Sequence, residues 1–166
     1  MKKLIVLVGI PGSGKTTWAE NYIKENTTER VTIINSDEIR KKITGKYDNF
    51  NREDEVWREF DNQIFAASYQ KRPKNFTVIV DATHISEYRR ICTVAAGDNF
   101  KYKIMVHFNI PFEVCLARQE TRPKHKRVPK QSMYNYRDRF QYIQSYEKSS
   151  VNEFIEIKGE ENGNEN

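Results

Sequence analysis

The sequence has no apolar run long enough to cross a membrane, a span that takes about 20 consecutive apolar residues. The apolar run that follows Lys2-Lys3 stops at the segment from Pro11 to Lys15, which is too early for a signal peptide. We therefore expect a cytoplasmic protein with no membrane partner.

Cysteine is scarce as well, with two residues in 166. Cys92 and Cys115 are far apart and fall in segments with helical patterns. Neither has the spacing of a metal-ligand pair, and cytoplasmic disulfides are rare. We expect both to be reduced and to serve in packing.

Apolar residues are also few, at 37%, whereas charged residues make up 31% and the formal net charge is +5. The last nine residues hold one lysine and three glutamates, so the rest of the chain is more basic than the whole. A basic body indicates an anionic partner such as nucleic acid, or serves solubility alone, and net charge does not decide between the two.

One stretch, from Gly9 to Thr17, carries a specific signal. It fits the phosphate-binding pattern G-x-x-x-x-G-K-[ST], with a buried-strand pattern before it and a helical pattern after it. Glycines let consecutive backbone N–H groups point at a phosphate, and the helix adds its positive end. The predicted nucleotide-binding residues of this stretch are Gly9, Gly12, Ser13, Gly14, Lys15, Thr16 and Thr17.

Two side chains of this loop have predicted roles in the chemistry. Lys15 should reach the β- and γ-phosphates of ATP or another nucleoside triphosphate. The Thr16 hydroxyl should bind Mg²⁺.

Strand and helix patterns alternate along the chain. This predicts an α/β fold of the P-loop kinase type, with a parallel sheet of about five strands and helices on both faces. We expect one domain over residues 1–158 and an acidic, disordered tail over 159–166. The predicted strands are 4–8, 31–34, 77–81, 103–108 and 154–157. The predicted helices are 17–25, one capped by Ser36, 51–70, 86–96, one starting at Pro111, and 129–147, whose Met133, Tyr136, Phe140 and Ile143 should face the core.

Ligands of such folds bind at the carboxyl ends of the strands. Asp37 follows the second predicted strand and could accept the proton of an attacking hydroxyl, or merely favour the helix dipole. Asp81 ends the third strand and could hold Mg²⁺ or cap the next turn. Thr83 follows it into the same cleft.

A basic lid is predicted over residues 118–130. Arg118 and Arg122 are four residues apart and share a face if the helix continues. An arginine closing over phosphates stabilises transition-state charge. A solvated basic loop is the alternative. The guanine-reading Asn-Lys-x-Asp segment of switch GTPases does not occur in the sequence, which favours a kinase.

Four motifs together resemble the kinase domain of the phage-type polynucleotide 5′-kinases, over about residues 1–147. They are Gly9–Ala19, Ile34–Arg40, Asp81–His84, and Arg118-x-x-x-Arg122 followed by Val128-Pro129.

The resemblance implies an ATP-dependent, Mg²⁺-assisted kinase that acts on 5′-hydroxyl ends of DNA or RNA in nucleic acid repair. Asp37 would be the general base, and Arg40 with Thr83 would bind the acceptor phosphate. Together with Asp37, Lys15 and Arg122 would be catalytic. Arg118 would contact the base or phosphates of the donor nucleotide, and Thr16 and Asp81 would bind the metal.

Two features depart from the family. Many members carry a fused phosphatase, for which this chain has no room, so we expect a kinase alone or one that works with a separate phosphatase or ligase. Other members have an acid nearer to the threonine than Asp81. A small-metabolite kinase and a nucleic-acid-binding NTPase without acceptor chemistry remain alternatives.

Overall fold

The computed structural model describes residues 1–71 and 73–159 and contains a five-stranded, all-parallel sheet. The strand order β2-β3-β1-β4-β5 places β1 at the centre. This confirms the predicted α/β P-loop kinase-type fold. The strands are β1 (Lys2–Val8), β2 (Arg30–Asn35), β3 (Phe76–Asp81), β4 (Tyr102–Asn109) and β5 (Glu153–Lys158).

Helices cover both faces of this sheet. Alternate β1 residues enter two separate apolar clusters: Leu4 and Val6 belong to one, and Ile5 and Leu7 to the other. None of the helices in the described ranges is long and apolar enough to cross a membrane. The helices are α1 (Lys15–Glu25), α2 (Ser36–Thr44), α3 (Glu53–Ser68), α4 (Glu87–Ala96), α5 (Phe112–Thr121), α6 (Lys130–Arg139) and α7 (Ser145–Ser149), with a 3₁₀ turn at Lys124–Lys126.

The register of the three central strands decides which residues meet at the carboxyl edge. Asp81, the last residue of β3, lies opposite Leu7 of β1 and Asn35 of β2. The chain leaves β1 into the loop from Gly9 and leaves β2 into α2. Both exits therefore lie beside Asp81.

The single helix predicted over residues 129–147 is wrong, because the structure has α6 and α7 separated by residues 140–144. Tertiary contacts outweigh helical periodicity here. The Gln141 N–H donates to the Ile85 carbonyl at 2.8 Å instead of continuing the helix. The Phe140 ring stacks on His107 with the ring centroids 5.4 Å apart.

Two helix starts also differ from the prediction. Asn35, not Ser36, caps α2 with its side chain. Helix α5 begins at Phe112, one residue after Pro111.

The two cysteines are free: Cys92 is half-buried and Cys115 buried. Beyond Gly159, the predicted acidic tail lies outside the described residues.

The break between α6 and α7 brings Glu147 against Arg90 of α4. Arg90 is 0% and Glu147 2% exposed, and Arg90 Nε and Nη2 donate to the two carboxylate oxygens at 2.6 and 3.2 Å. Arg90 Nη1 also donates to the His84 carbonyl at 2.9 Å. A buried charge is tolerated only with partners of this kind.

The change Arg90→Ala should lower the free energy of unfolding by about 3–5 kcal/mol, because it leaves the Glu147 carboxylate buried without its partner. Urea-induced unfolding measures the loss. Arg137→Ala is the control, since Arg137 pairs with Asp138 at the surface and should cost about 1 kcal/mol or less. Equal losses for the two variants would contradict the role given to Arg90.

Candidate active site

The loop from Gly9 to Gly14 connects β1 to α1 and has the backbone that phosphate binding requires. Gly12 and Gly14 have φ values of 85° and 96°, which side chains rarely allow. At Gly12 a Cβ would also lie 2.7 Å from the Cys115 carbonyl oxygen. The loop therefore packs directly on the backbone of α5. The Gly9 N–H donates to the Thr83 carbonyl at 3.0 Å, which ties the loop to the segment after β3.

Lys15 begins α1 and is buried. Its Nζ donates to the Ile10 carbonyl at 3.1 Å, so the ammonium group lies within the curl of the loop. Burial lowers the pKa of Lys15, and the nearby Asp81 and Asp37 carboxylates partly offset this. The loop amides, the ammonium group and the helix N-terminus together form an environment suited to an anion.

A cleft of about 1320 Å³ lies above this loop. The fold brings most of the predicted site residues to its walls, whereas Gly9 and Arg40 do not line it. The predicted residues in the lining are Gly12, Ser13, Gly14, Lys15, Thr16, Thr17, Asp37, Asp81, Thr83, Arg118 and Arg122.

Asp81 is buried at the floor of the cleft and accepts two hydrogen bonds on one carboxylate oxygen. Thr16 Oγ1 donates to Asp81 Oδ2 at 3.0 Å, and Asn35 Nδ2 donates to the same oxygen at 3.2 Å. Hydroxyl and carboxylate oxygens are the ligands that Mg²⁺ prefers, usually one or two from protein with phosphate and water completing the shell. The residues present therefore fit a Mg²⁺ ion shared with a bound nucleotide.

Asp37 lies in the first turn of α2, and its side chain is 61% exposed. Arg40 Nη1 donates to Asp37 Oδ1 at 2.6 Å, while Arg40 Nε donates to Glu53 Oε1 of α3 at 2.6 Å. Burial alone would lower the pKa of Arg40, but the hydrogen bonds and charges of Glu53 and Asp37 outweigh it and raise that pKa.

Arg40 is thus a buried support behind Asp37, with its guanidinium held from two sides. Sequence reasoning missed Glu53, because nothing local links an acid in the first turn of α3 to Arg40. Tyr136, predicted to face the core, also lines the cleft. Its pKa is raised, chiefly by burial and then by the Asp37 charge.

His84, next to Thr83, is buried and has a positive φ of 49°. Burial lowers its pKa to about 4, so the ring is neutral near pH 7. Its Nδ1 lies 2.6 Å from the Leu7 carbonyl oxygen, which makes Nδ1 the protonated nitrogen. His84 therefore links the segment after β3 to β1 through this hydrogen bond.

The helix does not continue through Arg122, contrary to the expectation of a shared helical face. Helix α5 ends at Thr121, and Arg122 is extended with φ −74° and ψ 152°. Pro123 explains this, because the residue before a proline is pushed out of the helical region. Both arginines still line the cleft. Arg118 Nη1 donates to the Gly12 carbonyl at 2.9 Å and so contacts the phosphate loop directly.

One buried side chain holds both ends of the segment from Arg122 to Val128. Gln119 Oε1 accepts from Arg122 Nη1 at 3.2 Å and from the Val128 N–H at 3.1 Å. Gln119 was not predicted. A glutamine in the last turn of a helix, between Arg118 and Glu120, gives no sequence signal of such a contact.

Comparison with known families finds a match along most of the chain: the model of a family described as an AAA domain matches residues 4–143. Heterogeneous nuclear ribonucleoprotein U-like protein 2 from Homo sapiens is 39% identical over 44 residues, which is 26% of this chain and 6% of that protein. The matched stretch thus spans a small part of that relative.

Solved structures share the fold. A chain of the Pnkp1/Rnl/Hen1 RNA repair complex has a TM-score of 0.70 at 24% identity, covering 91% of this chain and 46% of that one. A sugar kinase from Janibacter sp. HTCC2649 has a TM-score of 0.68 at 17% identity, covering 95% and 86%.

The change Gly12→Ala should destabilise the protein more than Gly45→Ala and weaken nucleoside triphosphate binding. Both glycines have positive φ, 85° and 84°, so both variants carry a backbone cost of about 1–2 kcal/mol. Only at Gly12 would the new Cβ also meet backbone, since nothing lies within 4 Å at Gly45. Urea unfolding and equilibrium titration with ATP measure the two effects. Equal behaviour of the variants would show that α5 does not pack on the loop as described.

Proposed function

We propose that this chain, a member of the AAA domain family by the match over residues 4–143, is an ATP-dependent polynucleotide 5′-hydroxyl kinase. It would transfer the γ-phosphoryl group of ATP to the 5′-OH end of DNA or RNA. The observation that carries the proposal is that Asp37 lines the same cleft as the phosphate loop, with Arg40 paired to it from behind.

The chemistry follows from these positions. A bond forms between the acceptor oxygen and the γ-phosphorus while the bond from that phosphorus to ADP breaks, and the hydroxyl proton passes to Asp37. Lys15 would hold the phosphates and Arg122 would stabilise charge on the transferred group. Mg²⁺ held at Thr16 and Asp81 would neutralise phosphate charge and orient the donor.

A polyanionic acceptor is supported by the remaining walls of the cleft. Basic and aromatic side chains are both present there, a composition typical of grooves that follow a nucleic acid backbone and stack on its bases. They include Lys42, Tyr47, Phe50, His125, Lys126, Arg127, Tyr136 and Arg139. A relative in fold that belongs to an RNA repair complex is consistent with this.

A kinase of a small metabolite is the second candidate, and one observation favours it. The Arg40 side chain is 5% exposed and already paired with Glu53 and Asp37, so an acceptor phosphate would have to share it. The fold is also that of a sugar kinase.

Transfer of label from γ-labelled ATP to a 5′-OH oligonucleotide tests the proposal, with an otherwise identical 5′-phosphate oligonucleotide as the control. Label on the first and none on the second is expected. Label on neither, with sugars or nucleosides accepting phosphate instead, would favour the second candidate. Stimulated ATP hydrolysis with no labelled acceptor would indicate an NTPase without acceptor chemistry.

The change Asp37→Asn should lower the transfer rate by about 10²-fold or more while ATP binding is retained, because the hydroxyl then lacks its proton acceptor. Glu38→Gln is the matched control. It removes a negative charge from the same first turn of α2, so it has the same effect on the helix dipole. Steady-state rates at saturating substrates make the measurement. Comparable losses of transfer rate in both variants would show that Asp37 acts only through the helix dipole and not as the proton acceptor.

A further inference from the structure

Asn35 uses both ends of its side-chain amide at the junction between β2 and α2. Its Oδ1 accepts from the N–H groups of Asp37 at 2.8 Å and Glu38 at 3.1 Å. Its Nδ2 donates to Asp81 Oδ2 at 3.2 Å. Backbone N–H groups only donate and a carboxylate only accepts, so these partners fix which way the amide points.

We infer that Asn35 is a positioning residue that fixes the start of α2, which carries Asp37, relative to the Asp81–Thr16 pair. The inference rests on the proposed function, since it concerns the same transfer site. The side that activates the acceptor and the side that holds the metal are otherwise on different strands and helices. The Asn35 side chain hydrogen-bonds to the backbone at the start of α2 and to the Asp81 carboxylate.

The register of the sheet makes this possible. Asn35 is the last residue of β2 and lies opposite Asp81, the last residue of β3. From there the chain turns into α2, and the first N–H groups of that helix have no partners within it. A side chain at this position is therefore placed to reach helix amides on one side and the Asp81 carboxylate on the other.

Asparagine is suited to this position and its closest analogues are not. Serine caps a helix equally well but is too short to offer a second group to Asp81. Aspartate keeps the cap but would set a second carboxylate against Asp81 Oδ2. Only a planar amide supplies an acceptor for the helix and a donor for the acid.

The bond to Asp81 also orients that carboxylate. Asn35 and Thr16 both donate to Oδ2, and within residues 1–71 and 73–159 no hydrogen bond reaches Oδ1. Partners behind a metal ligand typically change affinity or activity by about 10- to 100-fold when they are removed. Small displacements of a reacting group have effects of similar size.

Three variants separate the two contacts. Asn35→Ser keeps the cap and loses the link to Asp81, whereas Asn35→Ala loses both. Ser86→Ala is the matched control, because Ser86 caps α4 through a 3.1 Å hydrogen bond from the Arg89 N–H, and it does not line the cleft. It should lower stability without affecting transfer.

Three measurements are made on each 166-residue variant. The first is turnover at saturating ATP and 5′-OH oligonucleotide, and the second is the urea midpoint of unfolding. The third is the factor by which Mg²⁺ tightens ATP binding, taken as the ratio of affinities in EDTA and in Mg²⁺, which does not depend on turnover.

For Asn35→Ser we expect turnover to fall by roughly 10- to 100-fold, a smaller Mg²⁺ factor, unchanged affinity in EDTA and a urea midpoint near that of the wild type. Asn35→Ala should add a loss of midpoint similar to that of Ser86→Ala.

Wild-type turnover or a wild-type Mg²⁺ factor in Asn35→Ser would overturn the inference, as would an equal fall of turnover in Ser86→Ala. If the wild-type protein labels no acceptor, the proposed function fails by itself. The Mg²⁺ factor alone then decides whether Asn35 positions Asp81.

Discussion

The parallel register of β1, β2 and β3 is the constraint on which the cleft depends. It places Asp81 beside the ends of both neighbouring strands, so the phosphate loop, the Thr16 hydroxyl and the start of α2 meet at one edge. Each of these groups comes from a different part of the sequence. A slip of one residue in either pairing would turn the Asp81 carboxylate to the opposite face of the sheet. The hydrophobic pattern of the strands fixes this register and therefore the position of the Asp81 carboxylate.

Charge in the cleft is divided between two sides. Around the phosphate loop, Lys15, Arg118 and Arg122 donate hydrogen bonds to uncharged oxygens of Ile10, Gly12 and Gln119, so this side suits an anion. On the side of α2, Arg40 is matched by two carboxylates and is held rigidly. The phosphate-loop side is thus arranged to receive an anion. On the α2 side, the charge of Arg40 is neutralised and its geometry is fixed by its partners.

Sequence predicts the strands, the phosphate loop and the position of Asp81, because each depends on local pattern and on the rule for parallel sheets. It fails where a distant contact decides. The α6–α7 break depends on Ile85 and on the buried Arg90–Glu147 pair, neither of which is visible in helical periodicity. The sequence predicts Ser36 as the cap of α2, but Asn35 caps it, because the strand register places Asn35 at the end of β2. The end of α5 was readable, since Pro123 follows Arg122 directly.

The close packing at Gly12 has a mechanical consequence. With no side chain at Gly12, the backbone of α5 rests on the phosphate loop, and Arg118 adds a hydrogen bond across that contact. This contact couples the position of the loop to that of α5. The basic segment begins at Arg122-Pro123, where α5 has already ended and the backbone is extended. The two hydrogen bonds from Arg122 and Val128 to Gln119 therefore attach the basic segment to the same helix that packs on the loop.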